Sequence, residues 1–85
     1  ALAQEGAGVG ITVNAIAPGY VDTDMVRSVP PNILEKIIER IPVGRLGKAE
    51  DIANLAIFLA SDEGSFINNQ VILCDGGNMM RGWRA

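Results

Sequence analysis

The stretch Val13-Asn14-Ala15-Ile16-Ala17-Pro18-Gly19-Tyr20-Val21-Asp22-Thr23 decides the fold. The β-branched and small apolar residues from Ile11 to Ile16 read as a buried strand, and Pro18-Gly19 stops it at a turn. A threonine hydroxyl follows just beyond the strand end. In an open parallel α/β sheet, ligands bind in the crevice outside the carboxyl ends of the strands. Strand, Pro-Gly turn and threonine therefore form a candidate ligand wall. Its other half is Gly76-Gly77, after a second strand Val71-Ile72-Leu73-Cys74 whose unbroken apolar run is the pattern of a strand buried on both faces.

The intervening chain reads as helices. Asp22 to Val29 is a loop with a short helix. Pro30 and Pro31 suit the first turn of the next helix, in which Ile33, Leu34, Ile37, Ile38 and Ile41 recur at helical spacing. Glu35, Lys36, Glu39 and Arg40 make its wet face, and Pro42 stops it. Val43 to Gly47 is a connector. Ala49 to Ser61 is a strongly apolar helix that must be covered on most sides. Asp62 to Asn69 is a surface loop. Upstream, Ala1 to Glu5 reads as the last turn of a helix ended by Gly6 and Gly8.

Strand, helices, strand is a βαβ unit, so the fold class is α/β: the C-terminal βαβ part of a Rossmann-like, doubly wound parallel sheet. Two parallel strands cannot bury their own faces, and an unpaired edge beside Ile11–Ile16 calls for further strands. The chain opens on Ala1 inside a helical pattern. Residues 1–85 are therefore expected to be the C-terminal segment of one longer domain whose N-terminal part would supply those strands and a further helix layer.

Composition narrows the functions. A net charge of −3 and a pI near 4.7 leave no basic stripe to neutralise phosphates, against a nucleic-acid or membrane-surface partner. The longest apolar run, Leu55 to Ala60, is far too short to span a bilayer, and no signal-peptide pattern is present. With Cys74 the only cysteine and no histidine, neither an internal disulfide nor a Cys/His zinc site can form. No metal and a reducing, cytoplasmic location are expected.

Four blocks occur in order: Gly10-Ile11-Thr12-Val13-Asn14 leading to Pro18-Gly19; Thr23-Asp24-Met25; Pro42-Val43-Gly44-Arg45-Leu46-Gly47; and Phe58-Leu59-Ala60-Ser61-Asp62 followed by Asp75-Gly76-Gly77. With them the chain resembles the short-chain dehydrogenase/reductase family. Its wording is most similar to the 3-oxoacyl-(acyl carrier protein) and acetoacetyl-CoA reductases. The resemblance implies an NADP or NAD cofactor. Pro18 and Gly19 match the turn packed beside the nicotinamide ring, and the backbone of Val21 and the hydroxyl of Thr23 match the groups that hold its carboxamide. Asp24 to Ile41 matches a mobile segment that closes over substrate, and Tyr20, Met25 and Val26 are placed nearest an acyl chain. A small-molecule substrate, an acyl thioester or other ketone, and a homo-oligomer, a tetramer, are expected.

This sequence departs from the family at Asn68-Asn69, where many relatives have Thr-Gly; asparagine tolerates positive φ, so the turn can survive. The family's glycine-rich phosphate loop, its serine and its Tyr-x-x-x-Lys do not occur in these residues, since Tyr20, the only tyrosine, is followed four positions on by Asp24. Without that acid to protonate a carbonyl oxygen, the 85 residues alone are expected to be inactive. The residue that separates NAD from NADP follows the family's second strand and is not in this sequence.

Each residue also has a structural reading. Thr23 fits a helix cap, a role compatible with cofactor binding. Asn14 fits a satisfied hydrogen bond within the strand. Arg45 fits a pair with a carboxylate or carbonyl, Cys74 an inert core thiol, and Glu50 and Asp51 a complement to the helix dipole. Met79, Met80 and Trp83 form an apolar tail expected to pack on a neighbouring subunit. The leading function is ketone reduction by NAD(P)H. The alternatives are a non-catalytic oligomer-interface module, and a sugar, polyol or steroid dehydrogenase of the same family.

Overall fold

Two short parallel strands carry the architecture. In the computed structural model, which describes residues 2–78, β1 (Ala15–Pro18) pairs with β2 (Val71–Cys74), with Ala15 opposite Val71 and Pro18 opposite Cys74. Helix α1 (Leu2–Ala7) precedes the pair, and α2 (Asp24–Arg27), α3 (Pro31–Glu39), α4 (Ala49–Ala60) and a 3-10 turn at Asp62–Gly64 connect the strands. This is the α/β class and the βαβ unit that the pattern predicts.

The first strand begins later than the β-branched run. Residues 11–14 have no strand beside them among the described residues, and β2 cannot extend to meet them because Asn69 turns at φ 60. The Asn68 side chain takes over instead. Its Oδ1 accepts from Val13 N–H at 2.9 Å, while Asn69 N–H donates to the Val13 carbonyl at 2.8 Å. Asn14 is satisfied as expected: its Nδ2 donates to the Ile67 carbonyl at 3.1 Å and its Oδ1 accepts from Gln70 N–H at 3.0 Å. Asn68-Asn69 thus preserves the turn, with Asn69 in the left-handed region.

The end of α1 also corrects the sequence reading. The helix runs through Gly6 to Ala7 and closes in a Schellman motif. Ile11 N–H donates to the Gly6 carbonyl at 2.9 Å, Gly10 N–H donates to the Ala7 carbonyl at 3.2 Å, and Gly10, at φ +82, is the left-handed residue. Gly6 serves packing: a β-carbon there would stand 3.1 Å from Ile11 Cβ.

Pro31 occupies the first turn of α3 as predicted, but the helix ends at Glu39, short of Ile41. Ile41 precedes Pro42, and a residue before proline is crowded out of the helical region. Released from the helix, Ile41 is one of three buried apolar residues among the described residues, with Ala3 and Leu46.

Helix α4 spans Ala49–Ala60 as predicted and packs on both strands, yet none of its residues is buried; Ile57 is 65% and Phe58 44% exposed. Strand β2 was expected to be covered on both faces. Instead Ile72 and Cys74 are half-buried while Val71 is 72% exposed. The apolar pattern of β2 and α4 therefore exceeds what the described residues can bury. Among those residues no helix is long and apolar enough to cross a membrane. Met79, Met80 and Trp83 lie outside the described residues.

Candidate functional site

Both strands end side by side. Gly19 N–H donates to the Cys74 carbonyl at 3.2 Å, and a β-carbon on Gly19 would lie 2.9 Å from the Asp75 Cα. Glycine is therefore required here by the neighbouring chain, independently of any ligand. Asp75 then organises the second turn: its Oδ1 accepts from Gly77 N–H at 2.9 Å, with Gly76 at φ +65 and Gly77 at φ +92. The Gly76 carbonyl accepts from Val43 N–H at 3.2 Å, tying the Val43–Gly47 connector to the strand ends.

Past Gly19, the chain makes one isolated parallel bridge, Val21 with Gly47. Its hydrogen bonds belong to the flanking residues: Gly47 N–H donates to the Tyr20 carbonyl at 2.9 Å, and Asp22 N–H donates to the Gly47 carbonyl at 2.8 Å. In a parallel ladder, successive residues address opposite edges. The N–H and C=O of Val21 thus face away from Gly47, where one donor and one acceptor are presented together.

Thr23 caps α2. Its Oγ1 accepts from Val26 N–H at 3.3 Å, which leaves the hydroxyl proton available to another acceptor. Asp22 and Arg27 close the same segment with a bidentate ion pair, at 2.7 and 2.9 Å. The hydrogen bonds from Arg27 hold the Asp22 carboxyl below its usual value, and Asp22 raises the Arg27 guanidinium in return.

Two clefts flank Tyr20. One, of about 250 Å³, lies at the strand ends between Tyr20, Cys74, Asp75, Gly47, Arg45 and Asp51. Its charges are paired: Arg45 donates to Asp51 Oδ2 at 2.9 Å and to the Leu46 carbonyl at 3.0 Å, the two kinds of partner expected of it. Asp51 Oδ2 also accepts from Lys48 N–H at 2.8 Å, holding the first turn of α4. These hydrogen bonds, Arg45 first and Lys48 second, lower the Asp51 carboxyl. The Cys74 thiol lies 3.8 Å from the Asp51 carbonyl and has no disulfide partner. The other cleft, of about 270 Å³, is lined by Tyr20, Ile33, Lys36, Ile37, Arg40 and Asn78.

The structure therefore brings Pro18, Gly19, Tyr20 and Val21 together at the strand ends, with Thr23 one turn beyond. Met25, 82% exposed, and the half-buried Val26 line neither cleft. Sequence reasoning missed Asp75, although an aspartate before two glycines is a recognisable turn signal. It also missed Lys36 and Arg40 as lining residues, reading them only as a wet face. Among the described residues no cluster of three or more His, Cys, Asp or Glu could hold a metal.

Residues 1–79 match the family model described as enoyl-(acyl carrier protein) reductase. The chain is 59% identical over 78 residues to an acetoacetyl-CoA reductase of Shinella zoogloeoides, covering 91% of this chain and 32% of that protein. It is 49% identical over 75 residues to the 3-oxoacyl-(acyl carrier protein) reductase of Thermotoga maritima, covering 88% of this chain and 30% of that one. A crystal structure from Agrobacterium tumefaciens with bound NADP, a candidate 2-deoxy-d-gluconate 3-dehydrogenase, superimposes with a TM-score of 0.82 at 44% identity over 94% of this chain and 33% of its own. The chain spans about a third of the length of the relatives it matches.

Proposed function

The chain belongs to the short-chain dehydrogenase/reductase family, and on that premise we propose that the protein carrying it is an NAD(P)-dependent oxidoreductase that reduces the ketone of a 3-oxoacyl thioester to the hydroxy compound. The observation that carries this reading is the pair of strand ends. Pro18-Gly19 and Asp75-Gly76-Gly77 turn away together at the carboxyl edge of the sheet and leave a cleft beside Tyr20.

The residues present fit a nicotinamide. Its carboxamide offers two donors and one acceptor. The Val21 C=O and N–H, turned away from Gly47, and the Thr23 hydroxyl are complementary to it. When bound, the cofactor supplies the hydride. The chain's own part is to orient the ring and exclude water. Val21 and Thr23 would fix its amide end, Pro18-Gly19 would back the ring, and Tyr20 would border the acyl chain of the substrate beside it. Met25 and Val26, on the segment after Thr23, are proposed to meet the acyl chain when that segment closes. The relatives named acetoacetyl-CoA and 3-oxoacyl-(acyl carrier protein) reductases support the thioester, and the structural relative with NADP supports that cofactor.

The test is steady-state turnover of the full-length protein with NADPH and NADH. The ketone panel would hold a 3-oxoacyl thioester, a keto-sugar acid and a ketosteroid, compared as kcat/KM. Preference for the thioester supports the reading. Preference for the sugar acid would replace it with a sugar dehydrogenase of the same family, an activity that the Agrobacterium relative makes the next candidate. Cofactor binding without turnover of any ketone would sink the ketone-reductase reading.

A further inference from the structure

Helix α2 is held by polar contacts rather than by a packed face. None of its four residues is buried, and a single helical turn is unstable by itself, because nucleation fixes several residues for one hydrogen bond. The contacts that hold it run along its length. Before the helix, Asp22 N–H donates to the Gly47 carbonyl at 2.8 Å, tying its entry to the connector. At its start, Thr23 Oγ1 accepts from Val26 N–H at 3.3 Å, a long bond. At its end, Ser28 Oγ donates to the Met25 carbonyl at 2.6 Å. The Asp22–Arg27 pair bridges the whole turn. Arg27 Nε donates to Asp22 Oδ1 at 2.7 Å and Nη2 donates to Oδ2 at 2.9 Å, joining the residue before the cap to the last residue of the helix. Two parallel bonds fix orientation as well as distance. Asp22 thus carries the anchor at Gly47 through its carboxylate to the far end of α2, with Thr23 between.

We propose that the Asp22–Arg27 pair is a clasp that positions the Thr23 hydroxyl for the nicotinamide carboxamide. Both are positioning residues, acting through Thr23. An exposed ion pair adds little to global stability, but it weighs more in a segment whose local opening costs little. With the clasp closed, the Thr23 hydroxyl and the outward N–H and C=O of Val21 address one group. With it broken, α2 turns about its long cap bond and the hydroxyl loses its aim, while the Val21 backbone stays fixed by its bridge to Gly47. The inference rests on the reading of Thr23 given above and adds the residues that aim it.

The test is calorimetric titration of the full-length protein with NADPH and with phospho-ADP-ribose, which has no nicotinamide. NADH and ADP-ribose replace them if the protein prefers NAD. Asp22→Asn and Arg27→Gln should each weaken NADPH binding about fivefold, the scale of one bidentate exposed pair. Both should leave the nicotinamide-free probe unchanged. The double variant should lose no more than either single one, since one interaction is broken once, and Arg27→Lys should recover part of the loss. Added salt should narrow the gap in NADPH affinity between wild type and variants, because it screens the pair. Equal weakening of both probes, together with a lowered denaturation midpoint, would mean a merely structural pair and overturn the clasp. Thr23→Ala is the reference. If it weakens NADPH selectively and the clasp variants do not, the clasp falls and the reading of Thr23 stands. If it weakens neither probe, both fall.

Discussion

Gly19 and Asp75 are packed so closely across the paired strand ends that a β-carbon on Gly19 would lie 2.6 Å from the Cβ of Asp75. Neither backbone can retreat easily, because Gly19 N–H is bonded to Cys74 and Asp75 anchors the turn through Gly77. Gly19→Ala should therefore destabilise the full-length protein by about 1–3 kcal/mol, the cost of forced overpacking. Chemical denaturation measures it, and an unchanged midpoint would contradict the geometry.

Gly10 offers the opposite case. A β-carbon there meets nothing within 4 Å, yet φ is +82. Gly10→Ala should cost about 1–2 kcal/mol through backbone conformation alone, whereas Gly10→Asn should recover part of it. Equal losses for the two variants would count against a left-handed cap.

Thr23 holds α2 through its oxygen and is proposed to hold the cofactor through the same hydroxyl. Thr23→Ala should lower stability by about 1 kcal/mol and weaken nicotinamide cofactor binding by about 1–3 kcal/mol, while Thr23→Ser keeps both. Calorimetric titration of the full-length protein separates the roles. Loss of stability with cofactor affinity intact would leave Thr23 a cap and nothing more.

The acid limb of the stability profile should report Asp51 and Asp22. Both carboxyls lie below the ordinary value of 3.8 in the folded chain, held there chiefly by Arg45 and Arg27. A depressed folded value means the contribution is complete above the unfolded value and is lost as pH falls through the folded one. Denaturation midpoints should therefore decline between about pH 5 and pH 2, and Asp51→Asn should flatten that decline. A variant with the wild-type slope would show that the Arg45 pair contributes nothing.

The exposed apolar side chains lead to a further prediction. Phe66 is fully exposed, and Ile57, Phe58 and Val71 are also exposed. Produced alone, the 85 residues should self-associate with rising concentration, because this many exposed large apolar side chains promote association. Phe66→Asp combined with Ile57→Asp should reduce it. Sedimentation as a concentration-independent monomer near 9.0 kDa would refute this.

Much of the fold could be read where local chemistry is decisive. Pro31 opening α3 and the acids in the first turn of α4 stand where their patterns indicate, and the apolar run of β2 forms a strand, though not one covered on both faces by the described residues. The misreadings came from partners remote in sequence. Ile11 to Asn14 has strand-forming residues, but its partner is an asparagine side chain more than fifty positions away, so no ladder forms. Gly6 looked like a helix stop because glycine is permissive, but its lack of a side chain serves Ile11 instead. At the site, the Pro-Gly turn was legible from dihedral chemistry. The closeness of Asp75 was not, since nothing in the order of residues reveals a distance across a sheet.

Pro18 gives the outer edge of β1 a built-in end-stop. Ala15 and Gly19 donate inward, to Gln70 and Cys74, so the ladder's alternation assigns the position of Pro18 to the outer edge. Proline has no N–H to offer there. Any strand zipped along that edge must come undone at Pro18, one residue before the turn.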